Sequence, residues 1–176
     1  DTPAIQAAIN DAAAHGGGVV LLENGRFVAS HIVLASNVEF RIDESAVLIQ
    51  SERVRDYPYP VAYEHDNIYY TIQWAHNFLV HNKPLLYGTH LQNVRVCGGG
   101  RIRMADTGSE ALMGGWPYYD IHCNSLIHVI PLGFNKCVNV ELNGFTVNRA
   151  NSYHMLFCKS KNSFINGLKL YDARCL

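Results

Sequence analysis

One twelve-residue stretch decides the fold: residues 136–147, KCVNVELNGFTV. It aligns without a gap on residues 159–170, KSKNSFINGLKL, at an offset of 23 residues from Asn139 to Asn162. The leading lysine, the first Asn and the later Asn-Gly pair coincide, and so do nearly all apolar positions. A unit repeated at this period indicates an architecture in which successive copies stack on one another.

The same frame occurs twice more, closer to the N-terminus. Asn93 is followed five residues later by Gly98, and Asn37 begins a run of alternating apolar and polar residues. The steps are 56 residues from Asn37 to Asn93 and 46 residues from Asn93 to Asn139. The step of 46 corresponds to two repeats of 23, and the step of 56 to two repeats plus about ten residues.

The repeat length fits either a leucine-rich repeat or a parallel β-helix. A leucine-rich repeat needs a dense lattice of Leu, which this sequence lacks. Each unit instead has an Asn, an alternating strand, a Gly and a second short strand. We therefore predict a solenoid whose rungs bend at Asn and Gly, because both tolerate left-handed backbone conformations.

Residues 1–18 are predicted to form a short capping α-helix, with Pro3 in its first turn and Gly16 near its end. The apolar residues that share one helical face are Ile5, Ala8, Ile9 and Ala12. Such a helix would shield the first rung from water and from edge pairing. The chain is thus predicted to be a single all-β domain, a right-handed parallel β-helix with rungs over residues 19–176.

Two stretches interrupt the repeat and are predicted to be insertions, near residues 53–84 and 104–125. The first is rich in Tyr and His, and the second contains GGWPYYDIH at 114–122. Insertions in repeat proteins emerge as loops, often on the binding face. We expect these two to border a binding site.

Charge is nearly balanced, with 14 basic and 15 acidic residues and a formal net charge of −1. Such a chain produces no global field that attracts nucleic acid or a membrane surface. No apolar run reaches the roughly 18–20 residues of a transmembrane helix. We therefore expect neither partner, and an acidic polysaccharide would need a local basic patch.

The five cysteines are scattered and contain no CxxC pair, which argues against a zinc site. They are Cys97, Cys123, Cys137, Cys158 and Cys175. We predict that they are small buried side chains, with one disulfide left open as an alternative.

Several stretches together resemble glycoside hydrolase family 28, the polygalacturonases and rhamnogalacturonases, within the pectate-lyase-like superfamily. They are residues 1–20, 32–38, 46–48, 84–88, 98–102 and 126–170. The resemblance implies an enzyme that hydrolyses pectic galacturonan or rhamnogalacturonan by inverting acid/base catalysis, without a cofactor. Because polysaccharide substrates lie outside the cytoplasm, it also implies a secreted or periplasmic protein.

The chain departs from the family pattern at the catalytic motifs. The family is expected to carry an Asn-Thr-Asp-like motif, an Asp-Asp pair, a Gly-His-Gly and an Arg-x-Lys, and none of these occurs here. By the register of residues 162–170, the first motif is expected a few residues beyond Leu176, so residues 1–176 are expected to be inactive alone. Asn124 replaces an expected Arg, and Tyr153 stands where the family often has Trp.

Inverting hydrolysis needs an acid and a base about 6.5–9.5 Å apart. Carboxylates on neighbouring rungs, about 4.8 Å apart, can supply that spacing. By residue type the catalytic candidates are Asp120, Asp172 and His154. A turn-capping or solvated role is the alternative for each Asp, because no two carboxylates stand at equivalent positions of adjacent rungs. No metal site is predicted, since no His-x-His pair and no helical His-x3-His pair occurs.

Substrate binding is predicted to use aromatic side chains for sugar faces and cations for uronate carboxylates. The candidates are Trp116, Tyr118, Tyr119, His122, Tyr153 and Arg149, with Arg101, Arg103 and Lys159 as further cations. Loop packing is the alternative for the aromatics, and a solvated surface for the cations.

Two other functions remain open on the same fold. A polysaccharide lyase would need clustered basic residues and calcium-binding acids, and a non-catalytic carbohydrate-binding or tailspike-like β-helix would need neither. Fold does not fix function, so the choice rests on the resemblance. The last rung would expose apolar surface and strand edges, so self-association of the 176-residue chain is also predicted.

Overall fold

The protein was analysed as a computed structural model that describes residues 1–53, 56, 84–105, 129–150 and 154–172. The described elements, in chain order, are α1 (Thr2–Ala14), β1 (Gly18–Leu22), β2 (Gly25–Ala29), β3 (Ile32–Val33), β4 (Val38–Ile42), β5 (Ala46–Gln50), β6 (Leu86–Thr89), β7 (Gln92–Cys97), β8 (Arg101–Arg103), β9 (Leu132–Asn135), β10 (Val138–Asn143), β11 (Thr146–Asn148), β12 (Met155–Cys158), β13 (Lys161–Asn166) and β14 (Lys169–Tyr171).

The strands form three parallel sheets that share one set of rungs. Sheet A has the order β1-β4-β7-β10-β13, sheet B the order β2-β5-β8-β11-β14, and sheet C the order β3-β6-β9-β12. Every third strand along the chain therefore belongs to the same sheet. One strand from each of sheets A, B and C makes a rung, so rung 1 is β1, β2 and β3, and rung 5 comprises β13 and β14. The predicted fold class, a right-handed parallel β-helix that begins with a short α-helix, is confirmed.

The repeated Asn residues mark the bend into sheet A on consecutive rungs. Asn37, Asn93, Asn139 and Asn162 have φ angles of 61°, 54°, 59° and 55°, in the left-handed region. Their amides form a ladder in which Nδ2 of each donates to Oδ1 of the one before, at 2.9, 2.9 and 3.2 Å. The predicted role of these residues at the bends is confirmed.

The interpretation of the long steps as two repeats each is wrong. Strand β7 pairs directly with β4 and with β10, although Asn93 lies 56 residues after Asn37 and 46 before Asn139. Each step is therefore one rung, because a longer connection between two strands lengthens the step without adding a strand to sheet A.

The core lies inside the coil, and its largest fully buried side chains include Phe40, Phe134 and Phe145. Helix α1 closes the first rung with Ile5 and Ile9, which are buried in the same core. Ala12 packs against that core, whereas Ala8, predicted on the same face, is exposed. Among the described cysteines, Cys97, Cys137 and Cys158 are small buried side chains as predicted, whereas Cys123 and Cys175 lie outside the described residues.

Glycines make the tight bends between sheets A and B, as at Gly98. Its φ is 115°, and a Cβ there would lie 2.0 Å from the Ile42 carbonyl oxygen of the rung below. Only a residue without a Cβ lets the two rungs approach this closely. In the described part of the chain, no helix has the length and apolarity needed to cross a membrane.

Candidate functional site

Among the described strands, the longest intervals of sequence all lie between a strand of sheet B and the next strand of sheet C. They run over residues 51–85 in rung 2 and 104–131 in rung 3, and over 149–154 in rung 4. We call the bend between sheets B and C, with the strand ends that flank it, the B–C corner. The predicted insertions fall within the first two connections, and most of their residues lie outside the described ranges.

Three of the predicted site residues come together at the B–C corner. Asn148 pairs with Tyr171 across β11 and β14, so Arg149 and Asp172, the next residues, occupy the same position of consecutive rungs. The Arg149 backbone N–H donates to the Tyr171 carbonyl oxygen at 3.1 Å, and Nε2 of His154 lies 3.2 Å from that oxygen. The Tyr171 carbonyl oxygen thus contacts the Arg149 backbone and the His154 imidazole, and Asp172 follows Tyr171 directly in the chain.

The backbone at the corner follows the general geometry of a rung. Arg149 and Asp172 have φ angles of 65° and 52°, unusual for residues other than Gly. His90, Lys136 and Lys159 adopt the same conformation at the bend from sheet C to sheet A. The left-handed conformation is therefore a property of the bends, and it does not by itself indicate function.

Acid/base catalysis requires two carboxylates, and the described part of the corner separates them widely. Asp172 is exposed in rung 5, whereas Glu52 and Asp56 follow β5 in rung 2, three rungs away and about 14 Å distant at 4.8 Å per rung. Ser51 Oγ donates a hydrogen bond to Oδ2 of Asp56. Neither Glu52 nor Asp56 therefore lies at the inverting distance of about 6.5–9.5 Å from Asp172.

The other predicted site residues lie outside the described ranges and stay predictions. They are Trp116, Tyr118, Tyr119, Asp120, His122 and Tyr153. In the chain, residues 116–122 belong to the connection of rung 3, and Tyr153 directly precedes His154 in that of rung 4. Lys159 lies instead at the bend from sheet C to sheet A, away from the corner.

Two buried amides at the corner were missed by sequence reasoning. Gln50 is fully buried at the end of β5, and its Oε1 accepts a hydrogen bond from the Ala105 N–H at 3.0 Å. Gln50 Nε2 and Asn148 Oδ1 are buried and have no hydrogen-bond partner among the described residues. Buried polar atoms of this kind need an explanation, such as a bound water. No sequence signal separates them from surface Gln and Asn.

An aromatic side chain on the outer face of sheet C was also missed. Tyr87 shares an outward row with Val33, Gly133 and Leu156, as the strand register shows. Its ring stacks on His31, with centroids 5.4 Å apart and planes at 30°. Apolar and aromatic surface beside a polar corner is the combination that carbohydrate sites use.

The outer face of sheet A carries charges that neutralise one another. Arg95 lies between Glu39 and Glu141 on neighbouring strands, with Nη1 3.0 Å from Glu39 and Nε 3.1 Å from Glu141, the latter an ion pair without hydrogen-bond geometry. Arg41 Nε donates to Glu39 at 2.7 Å. Burial raises the pKa of Glu39, but hydrogen bonds with Cys97 and Arg41 and the two guanidinium charges outweigh it and hold that pKa below its ordinary value.

Three solved structures resemble this chain over nearly its whole length. A protein of Parabacteroides merdae, provisionally named a glycosyl hydrolase, matches with a TM-score of 0.75 at 19% identity, covering 98% of this chain and 68% of its own. A hyperthermoactive exopolygalacturonase of Thermotoga maritima matches with a TM-score of 0.72 at 18% identity, covering 96% of this chain. A family 28 exopolygalacturonase of Yersinia enterocolitica matches with a TM-score of 0.72 at 20% identity, covering 98%.

This chain shares their fold. The resemblance predicted from the sequence is thus confirmed at the level of the fold, a parallel β-helix like those of the two exopolygalacturonases. The chain spans only 42% and 36% of the two exopolygalacturonases. No family model and no curated protein matches it.

Proposed function

We propose that this chain is the N-terminal portion of the β-helix of an inverting glycoside hydrolase that acts on pectic polysaccharides. The observation that carries the proposal is the fold shared with two exopolygalacturonases, together with the long intervals of sequence between sheets B and C. In this proposal the catalytic aspartates lie outside residues 1–176, on rungs that follow rung 5 at the B–C corner.

Residues of the B–C corner and of the connections between sheets B and C would then bind and orient substrate near the reaction. Arg149 is the cation that would bind a uronate carboxylate through charge-assisted hydrogen bonds. The aromatic residues of segment 116–122 and Tyr153 would contact the apolar faces of the sugar rings. Asp172 and His154 would be polar contacts at the edge of the reacting centre, since no second carboxylate pairs with Asp172 among the described residues.

Catalysis itself needs a proton donor to the glycosidic oxygen and a base for the attacking water. Successive rungs at one corner can place two carboxylates at that separation, since strands stack about 4.8 Å apart. The proposal also implies a secreted or periplasmic protein, because the substrate lies outside the cytoplasm.

The test begins with the coding sequence about 80 residues past Leu176, roughly three rungs at the observed period. An Asn-x-Asp motif, a second carboxylate pair about one rung later and a Gly-His-Gly are expected there. The longer protein should release reducing ends from polygalacturonate, with inversion at the anomeric carbon as followed by proton NMR.

Other outcomes identify the alternatives. Unsaturated products, detected by their ultraviolet absorbance, would establish a lyase instead. Binding without any product would establish a carbohydrate-binding β-helix.

Arg149→Met in the longer protein should raise KM for polygalacturonate about tenfold, equivalent to losing one charge-assisted contact. Arg149→Lys should recover part of the lost affinity. An unchanged KM for the Met variant would show that Arg149 does not contact the substrate.

A further inference from the structure

Rung 1 has a free edge in each sheet, because β1, β2 and β3 are the terminal strands of sheets A, B and C. Alternate residues of a strand direct their N–H and C=O groups to opposite edges. On sheet B, the Val28 N–H donates to Asp1 Oδ2 and the Val28 carbonyl oxygen accepts from the Asp1 amino nitrogen, both at 2.8 Å. On sheet C, the Gln6 side-chain amide bonds both backbone groups of Val33 in the same way, at 2.9 Å each. Residues of α1 and its N-cap thus close these two edges at Val28 and Val33.

The free edge of sheet A has no such cover. The Gly18 N–H donates to the Asn37 carbonyl oxygen at the start of rung 2, so alternate residues of β1 from Gly18 onwards face that rung. The N–H and C=O groups of Val19 and Leu21 therefore face the opposite way. In the described part of the chain, none of these four groups has a hydrogen-bond partner. The edge thus offers two donors and two acceptors at the spacing of a strand.

Helix α1 reaches only the start of β1. The helix begins at the sheet B edge with Asp1 and passes the sheet C edge at Gln6. Ala12, in its last turn, lies beside Gly18, where an added Cβ would be 3.6 Å from the Ala12 Cβ. Beyond Gly18, the outward side chains of β1 are exposed and apolar. Proteins normally protect apolar strand edges, so an edge left open beside two closed ones indicates an interaction surface.

We propose that the free edge of β1 is a docking site at which an extended segment of a partner protein adds a strand to sheet A. Strand addition obtains affinity from main-chain hydrogen bonds and specificity from alternate side chains. The segment would place two apolar side chains beside Val19 and Leu21 on the outer face.

Charge sets the direction of the docked segment. Glu23 follows Leu21 by two residues, is exposed, and forms no salt bridge across the described ranges. A segment parallel to β1 would therefore carry a basic residue two positions after its second apolar one. The partner is thus an extended segment of the pattern apolar-x-apolar-x-basic. This inference does not depend on the proposed function.

Fluorescence polarisation with a labelled hexapeptide tests the site on the 176-residue chain. The probe has blocked ends, threonine at the first, third and fifth positions, valine at the second and fourth, and lysine at the sixth. It should bind saturably. A version N-methylated at the threonines should bind at least tenfold more weakly, because it cannot donate to the Val19 and Leu21 carbonyl groups.

A matched pair of proline substitutions locates the site. Leu21→Pro removes an N–H that faces the free edge of β1. Ser163→Pro makes the same change at the opposite edge of sheet A, because the Asn166 carbonyl oxygen accepts from Gly144 of rung 4 and the alternate residue Ser163 faces away from that rung. Proline is tolerated where the N–H of an edge strand has no neighbour. Affinity should fall at least fivefold for Leu21→Pro and less than twofold for Ser163→Pro, with circular dichroism matched to the parent chain.

A charge exchange tests the direction. Glu23→Lys should weaken binding of the lysine probe at least threefold and strengthen binding of a probe with glutamate at its sixth position. An unchanged preference between the two probes would overturn the parallel arrangement and the basic residue of the pattern.

Equal losses for the two proline variants would overturn the proposal, since the probe would then bind either edge of the sheet. Sedimentation of the chain without peptide gives a second test. If Leu21→Pro shifted the distribution towards monomer, the occupant of the edge would be a second copy of this chain, and the partner segment would be excluded. Neither measurement involves hydrolysis, so failure here leaves the proposed function untouched.

Discussion

Nδ2 of Asn139 donates a hydrogen bond to Oδ1 of Asn93, at 2.9 Å, across two neighbouring rungs. Asn139 also accepts one from Asn162 at 3.2 Å, so it is an interior member of the ladder. Its φ of 59° adds a second requirement, because a left-handed backbone is costly for most residues. One side chain thus satisfies both the bend and the stacking of rungs.

Substitution of Asn139 separates these two contributions. Asn139→Ala should lower the free energy of unfolding by about 2 kcal/mol, from backbone strain and two lost, partly solvated hydrogen bonds. Asn139→Gly keeps the backbone conformation and should cost about 1 kcal/mol. Urea unfolding followed by circular dichroism measures both. If the Ala and Gly variants were equally stable, the φ angle would contribute nothing.

Substitution of Gly98 tests how closely two neighbouring rungs must approach. Gly98→Ala should prevent folding or cost more than about 4 kcal/mol, because its Cβ would lie 2.0 Å from the Ile42 carbonyl oxygen. Gly16→Ala is the control, since Gly16 has a φ of 88° and nothing within 4 Å of an added Cβ. It should cost only about 1–2 kcal/mol of backbone strain. Comparable melting temperatures for the two variants would contradict the packing described here.

The ion pairs on sheet A should make stability depend on pH in the acid range. The pKa of Glu39 is lowered in the folded chain, so its contribution is present above the unfolded value near 4.5 and is lost as pH falls through the folded pKa. Glu39→Gln should therefore be less stable than the parent by about 1 kcal/mol at neutral pH, a modest value because both arginines are half exposed. That difference should disappear in acid. A difference that stayed constant from neutral pH to pH 2 would show that the carboxylate charge is not responsible.

The 176-residue chain should self-associate through rung 5. Its inward-facing Ile165 and Leu170 are 46% and 41% exposed, and strands β13 and β14 each leave one edge unpaired in the described sheets. Sedimentation velocity should show a concentration-dependent increase in mass. Ile165→Lys with Leu170→Lys should shift the distribution towards monomer, whereas Val19→Lys, at an exposed residue of rung 1, should not. A parent chain that stays monomeric would contradict this prediction.

The sequence predicted which residues occupy equivalent bends of the rungs, because the bends have strict local requirements. Asn is favoured at a left-handed bend and Gly where two rungs approach closely, so these residues recur at equivalent positions of the repeat. Asn37, Asn93, Asn139 and Asn162 do stack on one another in the structure. Val19 and Leu21 belong to the apolar run at residues 19–22, which lies within strand β1. These two side chains nevertheless point outward and are 56% and 45% exposed, because a strand buries only alternate residues.

The candidate site was less predictable, for a reason specific to solenoids. A longer connection between two strands adds residues without changing which strands pair, so the spacing of 46 between Asn93 and Asn139 suggested two repeats where one exists. The meeting of Arg149, His154 and the Tyr171 carbonyl depends on rungs that are stacked in space and separate in sequence. Residue type alone could name Arg149 and Asp172, and only the register places them side by side.

The spacing of the stacked strands also has a consequence for the order of folding. Gly18 pairs with Val38, 20 residues away, and Asn139 with Asn162, 23 residues away, whereas the middle rungs must close segments of 56 and 46 residues. Closing 56 residues costs about 0.8 kcal/mol more chain entropy than closing 23. We therefore expect two local nuclei, one at each end of the coil, that join last between β4 and β7. Pulsed hydrogen exchange during refolding should show amides of β4 and β13 protected before those of β7, and simultaneous protection would mean that the coil forms in one step.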